Sequence, residues 1–414
     1  MRVLILGADG FIGRHIAFHL RSQGVSVLAH ARNPARLTAM GFATLQADLT
    51  NPATHTTDFW LPHLNQTHLI NAAGLLTGTD AAFAAVHVKV PQAVLQALDP
   101  QANSVLISAV GLTADTPFAR WRRETERLFH GQTILRPGLV MADTSYGGTS
   151  ALRAFAALPY RTPVIGDGNQ LFNPIHATDL AEIALECLTK PLPGIWDIAG
   201  PETLTLTDLT QFLRNWLGLP SQPTLYLPLK TARLAGKIGD VLNLAPLNST
   251  ALAQLETGVL ADPTQLLAQI ASRPRGVKTF LTTRPAGTQD LWQARLYLAK
   301  PLIRLTLAAL WLGSGLLGLF TPASQFTPHL ALPAEATTTL ARLTALADLA
   351  LAAALIRNLR PKPVAILQLA LVTAYTIGLS LIAPTLWLDP FGPILKNLPI
   401  LALILTHLIL SEER

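Results

Sequence analysis

The chain of 414 residues has one cysteine, Cys187, so it can form no intrachain disulfide and carries no zinc-finger spacing. Cys187 falls in a helical pattern, Leu180 to Leu188, where a buried, inert thiol in a reducing compartment is expected. Charge is also scarce. Only 14% of residues are charged while 50% are hydrophobic, and the mean hydropathy of +0.36 is high for a wholly soluble enzyme. The net charge of +6 comes without a basic helix, so no nucleic-acid partner is expected. The apolar start, Met1 to Leu6, is too short for a secretory leader and runs straight into a glycine turn, which predicts a cytoplasmic N-terminal part.

That glycine turn carries the first positive signal. Gly7, Gly10 and Gly13 follow a short strand-like run and precede a helical pattern containing Ile16 and Leu20. In a strand, Gly-x-x-Gly-x-x-Gly turn and helix, the first glycine makes the tight turn. The second lets backbone approach a pyrophosphate, and the third allows close packing of helix on sheet. The helix start then offers free N–H groups and a positive dipole end to phosphates.

Further strand-like segments close on small or polar residues. Val25 to Ala31 leads to Arg32, Ala43 to Ala47 to Asp48, His68 to Ile70 to Asn71, and Ser104 to Ile107 to Ser108. This predicts a doubly wound parallel α/β sheet with ligands at the carboxyl ends of its strands. NAD-specific folds place an acidic residue at the end of the second strand. Arg32 stands there instead and suits the 2′-phosphate of NADP, so NADP is expected over NAD.

The order of motifs resembles the atypical and extended branch of the short-chain dehydrogenase/reductase superfamily over residues 1 to 260. The resemblance rests on Gly7, Gly10 and Gly13, Asp48-Leu49, Asn71 to Gly74, Ser108, Arg136-Pro137-Gly138, Gly166 to Gly168, Asn173 to His176 with Asp179, and Ala199 to Glu202. It implies a cofactor site made by Gly7, Gly10, Phe11, Ile12, Gly13, Arg32, Asp48, Leu49, Ala72, Ala73, Gly74, Pro137 and Gly138. Asp48 would contact the adenine, and Pro137 with Gly138 would pass beside the nicotinamide.

One position departs from that family. Its carbonyl chemistry uses Tyr-x-x-x-Lys, with the phenol as acid or base, whereas this chain has Phe118 and Arg122 at those places. Phenylalanine has no proton to give, and arginine is no base at ordinary pH. Ser108 and Arg122 remain as catalytic candidates. Tyr146, Tyr160, His87 and His176 are substitutes to be weighed against structural roles. His15 and His19, four apart on the first helix, lack the glutamate of a zinc pattern, so no metal is expected and a solvent-facing helix edge is the reading for both.

From Tyr297 onward the composition shifts. Apolar runs near Leu302 to Phe320, Thr339 to Ile356, Val364 to Leu386 and Ile394 to Leu410 approach the ~20 residues that cross a bilayer. They predict an all-α four-helix transmembrane bundle, with domains at 1–290 (its substrate-facing part 150–290) and 297–411. Arg342 and Asp348 within the second run must face a bundle interior or an interface rather than lipid. Lys300 and Arg304 before the first run, and Arg357, Arg360 and Lys362 between the second and third, predict both the N-terminal domain and the C-terminus on the cytoplasmic side, since the 321–334 loop has no Lys or Arg. Leu310 to Leu316 and Trp387 to Pro399 resemble the DoxX-like membrane domain. The cluster Asp389, Pro390, Gly392, Pro393, Lys396 and Asn397 reads either as a functional polar group or as a helix-ending turn with a snorkelling lysine. Helices are expected over 229–243 and 252–260, and the basic stretch Arg273, Arg275, Lys278, Arg284 is read as facing lipid headgroups.

Two functions fit. One is a membrane-bound NAD(P)H oxidoreductase passing hydride to a lipid-soluble acceptor such as a quinone, where water supplies the proton. The alternative is a non-catalytic NADPH-binding sensor or assembly factor, marked by the loss of the tyrosine.

Overall fold

The structure, a computed structural model, describes residues 1–113, 115–244, 249, 252, 256, 258–326 and 333–412. They form two compact units: Met1–Ala232 with Thr250–Gly287, and Arg233–Ser249 with Thr288–Arg414.

The first unit is built on strands β1 (Arg2–Leu6), β2 (Ser26–Ala31), β3 (Ala43–Gln46), β4 (Thr67–Asn71), β5 (Ser104–Ile107), β6 (Thr133–Pro137) and β7 (Gly194–Ile198). Their order in the sheet is β7-β6-β5-β4-β1-β2-β3, and every pair is parallel. The order reverses between β1 and β4, which opens a crevice at the carboxyl ends of those strands.

Strand alternation explains the burial on both faces. Val3 and Ile5 of β1 join a core with Ile16 and Leu20 of helix α1 (Phe11–Ser22) and with Leu180 and Ile183 of a later helix. Leu4 and Leu6 point the other way, into a core with Trp60, Val90, Val94 and Phe129. A parallel sheet covered on both faces needs this nearly continuous apolar strand. The covering helices used below are α2 (Val90–Ala97), α3 (Pro117–Leu128), α4 (Gly147–Ala156), α5 (Ala177–Thr189) and α6 (Leu206–Trp216). Cys187 of α5 is buried in the first core, which pushes its thiol up to about 12. A third core of Leu152, Phe172, Leu209, Leu213 and Phe280 holds three short strand pairs and α6.

The second unit contains α8 (Thr288–Phe320), α9 (Ala334–Ile356), α10 (Pro361–Ile382) and α11 (Asn397–Leu410); most of α7 (Leu229–Val241) also belongs to it. Three of these helices, α8, α9 and α10, are long and apolar enough to cross a membrane. The fourth run is helical only from Asn397, over 14 residues or about 21 Å at 1.5 Å each. The residues before it are spent in turns, with Asp389 accepting the Phe391 N–H at 2.8 Å and Gly392 at φ +55°. The Asp389 to Asn397 cluster is therefore largely a turn.

Small residues set the tightest helix pair. A Cβ on Gly315 would lie 2.9 Å from the Ala345 carbonyl, and one on Gly318 2.8 Å from the Ala345 side chain, so α8 and α9 meet nearly backbone to backbone. Lys362 at the start of α10 bonds Glu412 at 2.9 Å, which brings the end of α11 to the α9–α10 connection.

Of the helix expected over 252–260, residues 253–255 and 257 lie outside the described residues; Leu252 and Glu256 are helical, and Val259 bridges Phe172 as a strand residue. The residues of the basic stretch have neighbours within the first unit, Arg273 donating to the Ile270 carbonyl at 2.6 Å. Arg275 pairs with Asp179 at 2.7 Å, Arg284 with Asp143 at 3.5 Å, and Lys278 sits over the Phe212 ring.

Candidate functional site

The sequence candidates gather along one edge of the sheet. Gly7 follows β1, Arg32 follows β2, Asp48 follows β3, Ala72 to Gly74 follow β4, Ser108 follows β5, and Pro137 ends β6. Each sits at a carboxyl end, around the switch point between β1 and β4.

The glycines have separate jobs. Gly7 takes φ +74°, and a Cβ there would lie 2.9 Å from the Ala73 backbone. A Cβ on Gly13 would sit 2.2 Å from the Gly7 carbonyl, so that residue sets the packing of α1 on the turn. Gly10 has ordinary φ, and the nearest atom to a Cβ there is the Gly7 carbonyl at 3.2 Å. As the N-cap of α1 it has no capping side chain, so the first turn of α1, with Phe11 and Ile12, keeps backbone donors for an anion. This cradle fits the pyrophosphate of a dinucleotide.

A buried histidine that the sequence reading passed over holds the cradle. His30 of β2 accepts the Gly7 N–H at its Nδ1, 3.1 Å, and its Nε2–H reaches the Ala47 carbonyl, 3.1 Å. It thereby ties the glycine turn to the loop bearing Asp48 and Leu49. Burial holds its pKa below the usual value and favours the neutral ring that this bonding requires. The Asp48 carboxylate accepts from the Thr50 N–H and hydroxyl, which lowers its pKa.

The positive charge beside Arg32 is larger than one residue. Arg36 donates to the Asp9 carbonyl at 3.2 Å, and Arg14 is near enough for Arg36 to lower its pKa, after burial as the main cause. The spacing of Arg14 along α1 was the available signal.

At the other end, Phe118 and Arg122 lie one turn apart on α3, with the guanidinium 5.6 Å from the ring centroid. Arg122 is buried and donates to the Ala73 carbonyl at 3.3 Å. A Cβ on Gly74 would meet its Nη2 at 2.1 Å, so Gly74 leaves room for the guanidinium. Burial pulls Arg122 down to about 10, against the pull of Glu126, and it stays charged at neutral pH.

Ser108 is committed inward. Its hydroxyl donates to Glu126 at 2.6 Å, and Glu126 is gripped by Arg136 through two bonds of 2.8 and 2.5 Å. Glu126 is the next residue on the helix stripe 118, 122, 126, a spacing that could have flagged it.

Of the substitute candidates, the two histidines are engaged in buried hydrogen bonds. His87, in a π-helical turn at Ala85–Lys89, accepts the Leu75 N–H at Nε2 and donates from Nδ1 to Thr125, both at 3.1 Å. Burial and Arg122 lower it to about 3. His176 caps α5 and meets Arg275 at 3.1 Å. Tyr160 is 87% exposed, and Tyr146 stacks on Phe11 at 6.0 Å. His15 does not face solvent. It is half-buried, meets Thr144 at 2.9 Å, and is lowered by burial to about 4.

A doubly wound sheet with this crevice and an apolar helical unit define a nucleotide-binding head coupled to a membrane domain. The comparisons give both parts their class. Residues 3–111 match the NAD dependent epimerase/dehydratase family and residues 308–405 match the DoxX-like family. The N-terminal part is thus similar to NAD dependent epimerases and dehydratases and the C-terminal part to DoxX-like proteins, the latter with three helices long and apolar enough to cross a membrane. Among solved structures it resembles the human epimerase family protein SDR39U1 (isoform 2) with NADPH, at 20% identity and TM-score 0.51, covering 68% of this chain and 98% of that one. It also resembles gox2253 (16%, TM-score 0.50, 68% and 95%) and Pal from Bacillus thuringiensis (13%, TM-score 0.50, 72% and 99%). No curated protein matches the chain in sequence.

Proposed function

We propose that this chain is a membrane-anchored NADPH-binding oxidoreductase that passes hydride to a lipid-soluble acceptor such as a quinone. The observation that carries the reading is the pairing of a glycine-turn dinucleotide cradle with the loss of the phenol at position 118. Phe118 replaces the phenol and Ser108 is bonded to Glu126. Hydride transfer to an acceptor protonated by water needs neither group.

NADPH is the cofactor because Arg32, with Arg36 and Arg14 close by, suits a 2′-phosphate. In this reading Gly7, Gly10, Phe11, Ile12 and Gly13 hold the pyrophosphate, Asp48 and Leu49 flank the adenine, and Ala72 to Gly74 line the ribose. Pro137 and Gly138 flank the nicotinamide, and Arg122 supplies positive charge beside it. Residues 1–290 form the cofactor part and 297–411 the membrane part.

The head and the C-terminus face the cytoplasm. Lys300, Arg304, Arg357, Arg360 and Lys362 supply the positive charge at the end of the bundle where α11 finishes.

A sensor that binds NADPH without consuming it is the second reading, and the inward bond of Ser108 favours it. Two measurements on detergent-solubilised full-length protein separate them: NADPH titration, and NADPH oxidation with a short-chain quinone. Turnover lost on replacing Gly10 with a bulky residue supports the oxidoreductase. Tight binding with no oxidation across several acceptors supports the sensor, and absence of binding refutes both.

A further inference from the structure

Hydrocarbon offers no hydrogen-bond partner, so a carboxyl among membrane helices must be held by its neighbours. Asp348 lies near the middle of α9 and is 4% exposed. Helix α8 brings Ser314, whose hydroxyl donates to Oδ2 at 2.6 Å. Helix α10 brings Tyr375, whose hydroxyl donates to Oδ1 at 3.3 Å. Three helices thus converge on one carboxyl, and both donors are hydroxyls.

Arg342 and Arg304 donate to backbone carbonyls rather than to Asp348, Arg342 to those of Gly318 and Thr321 and Arg304 to that of Leu242 at 2.6 Å. This donor set decides the chemistry. A lysine or arginine partner would lock the carboxylate in its ionised form. A hydroxyl donates to a carboxylate and, by rotating, accepts from a carboxylic acid, so it accommodates both states.

Polar side chains continue in both directions from Asp348. One turn back along α8, Trp311 donates to Gln368 of α10 at 2.8 Å, both buried. Farther that way His407 of α11, 1% exposed, has no hydrogen-bond partner at Nδ1 among the described residues and lies close enough to Arg304 and Lys300 to feel their charge. In the opposite direction Thr376, next to Tyr375, accepts from Asn397 at the start of α11, 2.9 Å. An apolar bundle used only as an anchor has no need of such a series.

We propose that Asp348 is the proton-exchanging group of a polar seam through the helical unit, and that this unit moves protons across the membrane. Asp348 takes a proton from one aqueous side, forming one O–H bond and becoming neutral. It releases that proton toward the other side, breaking the same bond, and no electron moves. Ser314 and Tyr375 turn their hydroxyls to follow the change. This function is separate from hydride transfer in the head.

The test uses full-length protein reconstituted into phosphatidylcholine/phosphatidylglycerol vesicles containing a pH-sensitive dye, with a potassium gradient and valinomycin as the driving force. Wild-type vesicles should take up protons faster than protein-free vesicles, and the isosteric Asp348→Asn should return to the protein-free rate. Wild-type flux no higher than the protein-free rate, or undiminished flux in Asp348→Asn, overturns the proposal. If Asp348→Asn does not reconstitute, Ser314→Ala and Tyr375→Phe decide: slowed flux in either supports the seam, and wild-type flux in both overturns it.

Discussion

Gly10 and Gly13 stand three residues apart in the same turn, yet replacing each by alanine should do opposite things. In Gly13→Ala the new methyl would lie 2.2 Å from the Gly7 carbonyl oxygen and 2.9 Å from its carbon, and neither atom can swing aside. Relieving the clash moves α1 or the turn by most of an ångström, an overpacking cost near the upper end of about 1–3 kcal/mol. Alanine gains about 1 kcal/mol over glycine within a helix, which leaves a net loss of about 2 kcal/mol. For a domain of this size that lowers Tm by about 4–8 °C. In Gly10→Ala the only neighbour within 4 Å is that same carbonyl, at 3.2 Å, and φ is ordinary, so Tm should stay close to wild type. The methyl instead occupies the approach of the pyrophosphate to the start of α1. Losing one charged hydrogen bond there, about 1.5–3 kcal/mol, weakens NADPH binding about ten- to 150-fold. Differential scanning calorimetry and NADPH titration on both variants give a two-by-two result. Wild-type affinity in Gly10→Ala would sink the cradle assignment, and a wild-type Tm in Gly13→Ala would sink the packing argument.

Other outcomes follow from the same contacts. Arg32→Ser should weaken NADPH about tenfold or more while leaving NADH nearly unchanged; an equal loss for both cofactors in parallel titrations would remove Arg32 from the 2′-phosphate. His15, His30, His87 and His176 all have pKa values lowered by burial, so the unfolded chain takes up their protons first. Their contribution to stability is therefore complete above about pH 6.5 and declines as the pH falls below it, which Tm measured from pH 7.5 to 4.5 should follow; a flat profile contradicts the assignment. Gly315→Leu should push α8 from α9, because a Cβ there already lies 2.7 Å from the Leu349 side chain, and should lower the thermal stability of the membrane unit in detergent. An unchanged melting profile would show that the two helices do not depend on that contact.

Much of the head was legible because its signals are local. The Gly7 to Gly13 turn, the strands with their small or polar ends, and the placement of Arg32 each depend on a few neighbouring residues. What escaped depends on pairs distant in sequence. Ser108 meets Glu126 only because β5 and α3 lie side by side, and Arg136 joins them from β6. His30 looked like one more strand residue, since alternation tells that it is buried but not that its two nitrogens reach Gly7 and Ala47. The ion pairs of Arg275 with Asp179 and of Arg284 with Asp143 escaped because the partners are about 100 residues or more away. In the membrane unit, hydropathy located four helices, but proline, glycine and the Asp389 turn shortened the last one in a way composition does not reveal.

The inward bond of Ser108 also limits how this head could have changed its trade. A carbonyl substrate would have to win the hydroxyl from a carboxylate, forfeiting a bond of about 1.5–3 kcal/mol to a charged group before any barrier is lowered. Restoring a tyrosine at position 118 alone would thus recover a proton donor but leave its customary helper engaged. Carbonyl reduction by this head would require at least two coordinated changes, one on α3 at Phe118 and one at the Glu126–Arg136 clamp.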